Sequence, residues 1–384
     1  MKKLFGILSL LLCATSMIYA QADGIATHKS SDVVMASDGA AMGKVIDSGS
    51  CGKNVNYELY DDYTLRIFGN GAMYNYDYFF SNDGVDLYSN VPWVSWTPKI
   101  KSVVIEDGVT RIGSGAFIQC SSLTDVNIPN SVKSIGSCAF RECSSLKKIN
   151  IPNSVTSIGE DAFCSCTSLV DLNIQDGIVT IAGGAFVNCS SLTHIDIPNS
   201  VTNIGENAFN GCTSLTELII PDSVTSIGEC AFANCDNLEY VKIGKGLTTI
   251  NDGIFLLYHT NRNIKTVIEF TSETPLVLSS IVRWDRIAGN NAFAEPENVI
   301  IRVPETMLDY YRSSEDWSRY KESFSGYGST GISSVDNGPS AMKTDAVYDL
   351  QGRRVTEMLP NRIYIVNGKK IVNKFRDKSL EFRD

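Results

Sequence analysis

The sequence predicts a β-rich α/β solenoid of about seven 23-residue coils, with parallel strands stacked coil on coil and a short helical turn in each. Three repeating columns and one change of period predict it. A phenylalanine recurs without a slip at Phe117, Phe140, Phe163, Phe186, Phe209, Phe232 and Phe255. Cysteines (Cys120, Cys143, Cys166, Cys189, Cys212, Cys235) and leucines (Leu123, Leu146, Leu169, Leu192, Leu215, Leu238) keep the same beat. Within each repeat, apolar residues pass from alternation to helical spacing. Self-similarity at such a period means units that contact chiefly their neighbours, and that need caps because none buries its apolar face alone.

Ile151 to Ile174, IPNSVTSIGEDAFCSCTSLVDLNI, is one frame. Leu172 and Ile174 alternate with polar neighbours, as a strand does. Pro152, Pro198 and Pro221 follow the equivalents of Ile174 and cannot continue a ladder, so the strand stops there. Asn-Ser or Asp-Ser then turns the chain. Val155 and Ile158 suggest a second extended segment, ended by Gly159. Ala162, Phe163 and Cys166 are spaced for about one or two helical turns. With strands about 4.8 Å apart, seven coils span roughly 35 Å.

These residues resemble the BspA-type (treponemal-type) leucine-rich repeats, whose motif reads LxxLxIPxSVxxIGxxAFxxCxS. The resemblance covers 100–270, close to half the chain, and implies a leucine-rich-repeat fold and a secreted or cell-surface binding role. Departures are few: Ala182 replaces the glycine, Gln175 and Gly244 replace the proline, and Asn251 ends the glycine column. The seventh coil has an insertion around Tyr258 to Arg262 and no cysteine.

Residues 1–22 read as a signal peptide: Lys2 and Lys3, an apolar run from Leu4 to Cys13, and small residues at Ala20 and Ala22. Leu12 before Cys13 argues against a lipid-anchor motif, and no run is long enough for a transmembrane segment. Losing two lysines takes the formal charge from −10 to −12. That argues against nucleic acid as a partner, which would require a clustered basic face.

Residues 23–42 are polar and read as flexible. Residues 43–99 form an expected N-terminal β cap. Its SGSCGKNVNYELYDDYTLRIFGNGAM resembles the lead-in of BspA-type proteins. Residues 271–325 are the expected C-terminal cap, with a strand at Val299 to Pro304. A helix is expected from Met307 to Phe324, with Tyr310, Trp317, Tyr320 and Phe324 on one face. Residues 326–344 read as a linker. Residues 345–374 read as a three-stranded module with a hairpin at Asn367-Gly368. It resembles the C-terminal sorting domains of exported Bacteroidetes-type proteins, although a charged tail, 375–384, follows it here.

No catalytic motif appears. His28, His194 and His259 lie at no metal-ligand spacing, and no GxSxG elbow, P-loop or dinucleotide fingerprint is present. An enzyme, a cofactor and a metal are therefore not expected. The six periodic cysteines read as a buried reduced column. A bridge between the off-beat Cys138 and Cys164 is the alternative tested below.

Function is expected on the strands' outward columns. One holds Asn127, Asn150, Asn173, Asp196, Ile219 and Lys242. Its neighbour holds Asp125, Lys148, Asp171, His194, Glu217 and Tyr240. Solenoids bind on such extended faces. The resemblance implies an adhesin-like role toward a protein ligand such as host matrix. The alternative is an envelope scaffold or a glycan-binding surface protein, for which Tyr240 would be the chief exposed aromatic.

Overall fold

The structure is a computed structural model. It describes residues 43–80, 87–251, 253–257, 265–278, 293 and 296–327, and the backbone of four short strands between 347 and 372. The signal peptide, the polar segment 23–42, the Tyr258 to Arg262 insertion, most of the linker, the charged tail, His28 and His259 lie outside the described residues.

Each coil has three tiers. The first is a strand: Ser102–Ile105, Asp125–Asn127, Lys148–Ile151, Asp171–Ile174, Glu217–Ile220 and Tyr240–Ile243. Paired strands run parallel, and partners are 23 residues apart, as in Ile149 with Leu172 and Leu218 with Val241. The tier is interrupted around His194, where only an isolated bridge joins Asp196 to Ile219. The second tier is shorter, with parallel pairs such as Ser134–Ile135 with Ser157–Ile158. Between the two, the Val155 amide donates to Pro152 O at 3.0 Å and closes the predicted turn. A Cβ on Gly159 would lie 2.4 Å from the Ser137 amide nitrogen of the preceding coil, so close backbone approach explains that glycine.

The third tier differs from the helix expected of it. Ala162 N donates to Gly159 O and Cys166 N to Phe163 O, at 3.3 and 3.2 Å, which are i to i+3 turns. Asp161 and Ser165 are left-handed, with φ of 55° and 60°. Alternate amides then point across the stack. Asp161, Phe163 and Ser165 donate to Gly183, Ala185 and Val187 O at 3.1, 2.8 and 2.7 Å. A helix would direct these amides along its own axis. Here they bond the next coil and form a third ladder.

The predicted phenylalanine column is the spine of the core. Rings from Phe117 to Phe255 stack with centroids 5.1 to 5.6 Å apart, and all seven are fully buried. Tryptophans close both ends. Trp93 stacks on Phe117 at 5.8 Å, and its indole N–H donates to Ala116 O at 3.1 Å. At the other end Phe293 stacks on Phe255 at 5.8 Å and on Trp317 at 6.0 Å. The Trp317 indole donates to Leu276 O at 3.1 Å.

The caps continue the coils under altered sequence. Val45–Gly52, Val55–Tyr60 and Thr64–Gly69 form an antiparallel meander. Thr64–Gly69 then pairs in parallel with the first coil's Ser102–Ile105, and Gly71–Ala72 with Val109–Ile112. With Trp93 in the aromatic column, this is a coil without the repeat's residues. Thr266–Phe270, Val277–Leu278 and Phe293 make an eighth coil where the sequence frame is lost. Val299–Pro304 and Phe324–Tyr327 add two more parallel strands.

The expected helix from Met307 to Phe324 is two short pieces, an α-helix at Leu308–Ser313 and a 3₁₀ helix at Ser318–Ser323. Ser314 between them is extended, with ψ of 132°. The buried ring on the first piece is therefore Tyr311, and Tyr310 is 42 % exposed. Phe324 begins a strand, and Gly326 and Tyr327, expected in the linker, belong to it. In the C-terminal module Ile363–Val366 pairs antiparallel with Lys369–Val372, while the expected Asn367-Gly368 turn lies outside the described residues. Val347–Asp349 pairs on the other side, and Arg354–Val355 adds a fourth strand to the three expected.

Candidate functional site on the strand face

Period-2 alternation puts Ile149 and Ile151 inward and Lys148 and Asn150 outward. Stacking repeats the arrangement every coil. Asp125, Asn127, Lys148, Asn150, Asp171, Asn173, His194 and Asp196 are all exposed. Ile219 is 40 % exposed.

The columns hold themselves in place. Asn173 Nδ2 donates to Asn150 Oδ1 at 2.6 Å. Lys148 Nζ lies 3.4 Å from Asp171 Oδ2 in the neighbouring column. His194 Nε2 and Asp196 Oδ1 are 2.7 Å apart, at the interruption of the strand tier. Asn127 bonds the backbone of the previous coil, accepting from the Ile105 amide at 2.9 Å and donating to its carbonyl at 3.0 Å.

Tyr240 differs from expectation. It is buried, at 9 % exposure, because its strand is central and in-register Glu217 and Val267 flank it. Glu217 and Lys242 are half-buried. The face therefore loses the aromatic that a glycan site there would use.

Charged extensions at both ends were not read from the sequence. Lys242 is followed in register by Glu269 and Arg302. Before Asn127 come Val104 and Arg66, which pairs in turn with Glu58. The Arg66 guanidinium lies 2.8 Å from Glu58 and 2.6 Å from Glu106. The 23-residue frame does not reach these positions. Only strand pairing across the caps reveals them.

The cysteine column has a bonding reason as well as a packing one. The thiols of Cys143, Cys166, Cys189, Cys212 and Cys235 donate to the carbonyls of Phe117, Phe140, Phe163, Phe186 and Phe209, at 3.2 to 3.5 Å. Burial pushes these thiols up, Cys235 to about 12. Cys138 and Cys164 form no disulfide, and neither do the six column cysteines. Among the described residues no group of three His, Cys, Asp or Glu is placed to hold a metal, and no helix is long and apolar enough to cross a membrane.

Stacked strand-and-turn coils with an asparagine-bearing outward face and a leucine-lined inside define a leucine-rich-repeat solenoid. The repeat region belongs to the BspA type of leucine-rich repeat. That family's model matches residues 94–213 and 179–274, in six copies. Similar solved structures include a leucine-rich repeat protein of T. pallidum, 26 % identical with a TM-score of 0.38, over 53 % of this chain and 82 % of that one. A leucine-rich cell surface protein from Faecalibacterium prausnitzii A2-165 is 25 % identical, with a TM-score of 0.39, over 74 % of this chain and 95 % of that one. A leucine-rich repeat protein from Bacteroides ovatus is 21 % identical, with a TM-score of 0.31, over 71 % and 80 %. No curated protein matches the chain.

Proposed function

We propose that the chain is an exported, surface-displayed binding protein, adhesin-like, that recognises a protein ligand through the outward columns of its strands. Host extracellular-matrix proteins are the first ligand class to test. The observation that carries this is the face itself: exposed polar side chains on several successive coils, fixed to one another and to a rigid stack. Such a face presents hydrogen-bonding groups at a regular spacing with little further ordering on binding. The basic N-terminal residues and apolar run support export, and the four-stranded C-terminal module supports sorting to the cell surface. The chemistry is recognition without catalysis or cofactor.

Immobilised matrix proteins should bind the chain saturably. A variant carrying Asn150→Ala, Asn173→Ala and Asp196→Ala should lose at least tenfold in affinity. Undiminished binding by that variant would move the site off this face. No binding across the matrix panel would favour an envelope scaffold.

A further inference from the structure

A groove of about 550 Å³ lies on another part of the molecule. It runs between the 3₁₀ segment Val94–Lys99 of the N-terminal cap and the turn tier of the first three coils. Ser121, Ser144, Ser165 and Thr167 line it from the coils, and Val94 and Pro98 from the 3₁₀ segment. Gln119 and Glu142 stand in the same lining. The Gln119 amide donates to Glu142 Oε2 at 3.1 Å, and Arg141 Nε is 3.5 Å from Glu142 Oε1.

A second observation falls on the same residues. One column of the turn tier is left-handed in every coil from the first to the sixth. In coils four to six it holds Asn188, Gly211 and Asn234, residue types that adopt this backbone readily. In coils one to three it holds Gln119, Glu142 and Ser165, with φ of 57°, 62° and 60°. Those three line the groove, and the other three do not. In this column the residue types that adopt the left-handed backbone least readily coincide with the groove, whereas the neighbouring left-handed column, with Cys138, Asp161 and Cys230, shows no such division.

We infer that this groove binds a short neutral carbohydrate. Glu142 and the amide oxygen of Gln119 accept from sugar hydroxyls. The serine and threonine hydroxyls exchange hydrogen bonds in either direction. Val94 and Pro98, both exposed, offer an apolar surface to the sugar's C–H face. Among the described residues no lysine or arginine lines the groove, which disfavours an anionic ligand, and the Glu142 charge is already met by Arg141, which disfavours a cationic one. The volume falls within the roughly 300–1,000 Å³ of small-ligand sites. The groove belongs to the turn tier and the proposed protein site to the strand tier, so either can fail without the other.

Saturation-transfer NMR of the folded chain with cellobiose, maltotriose, lactose and N,N′-diacetylchitobiose tests this, with sialyllactose as the anionic comparator. At least one neutral sugar should bind saturably, and the strand-face variant should bind it equally well. Glu142→Asn should weaken binding at least tenfold while raising the thermal midpoint, because Asn188 and Asn234 already occupy this column. Ser144→Tyr, which fills the groove and keeps the backbone hydrogen bonds of Ser144, should abolish binding. The inference is overturned if no neutral sugar saturates, if only sialyllactose does, if both groove variants bind normally, or if Glu142→Asn binds weakly but melts lower.

Discussion

The inward and outward columns of one strand lie 3.3 Å apart along the chain and follow opposite rules. Inward, the same kinds of residue return coil after coil: isoleucine, leucine or valine in the strand, then phenylalanine and cysteine. Outward, one column passes through Asn127, Asn150, Asn173, Asp196, Ile219 and Lys242 in the same tier. Stacking explains the first pattern, since an inward ring must lie flat on its neighbours 5.1 to 5.6 Å away. It places no such demand on the second. The fold is specified from inside, which leaves the outside free for recognition.

Alkaline pH should show the largest difference between the two sets. An unfolded thiol ionises near pH 8.5, whereas burial raises all six column thiols, Cys235 to about 12. The unfolded chain therefore loses these protons first. Their contribution to stability is fully present below the unfolded value and is lost as pH rises from there toward the folded one. The loss reaches up to about 1.4 kcal/mol per pH unit for each thiol, about 8 kcal/mol for six together. Urea midpoints at pH 7 and pH 10 measure it, and equal midpoints would mean that the column ionises without unfolding.

Phe186→Ala comes next. The ring is fully buried and stacks on Phe163 at 5.3 Å and on Phe209 at 5.2 Å. Its loss leaves a cavity between two coils, at a cost of about 3–5 kcal/mol, read from the urea midpoint at neutral pH. A loss under about 1 kcal/mol would show that neighbouring coils close over the gap, and that the spine is looser than its rings suggest.

How much of this was legible in the sequence follows the same division. The seven phenylalanines, the cysteine column, both strand tiers and the inward–outward assignment could be read because each repeats on one beat. The column's continuation into the two caps could not, although its geometry there is the same. Trp93 precedes Phe117 by 24 residues, and Phe293 follows Phe255 by 38, so both rings continue the column off the beat. The third tier was misread because Ala162, Phe163 and Cys166 carry helical spacing, while the left-handed turns at Asp161 and Ser165 leave no apolar pattern. Tyr240 was misplaced because alternation gives the face a side chain points to, and neighbouring strands decide how much water reaches it. The groove was invisible, since the cap segment that walls it meets the coils only in three dimensions.

The smallest expected effect bears hardest on the comparison. Lys148 and Asp171 approach to 3.4 Å with side chains 67 % and 58 % exposed, and exposed pairs contribute about 0–1 kcal/mol. Asn173 adds one exposed hydrogen bond to Asn150. Lys148→Ala and Asn173→Ala should each shift unfolding free energy by less than about 1 kcal/mol, since water replaces what either removes. If either cost as much as Phe186→Ala, the outward ladder would be part of what holds the coils together. The polar columns would then be explained by stability, and the reason for placing recognition there would disappear. If neither changes stability but the triple variant loses its ligand, the same residues are dispensable for folding and required for binding, the separation that the stacked geometry implies.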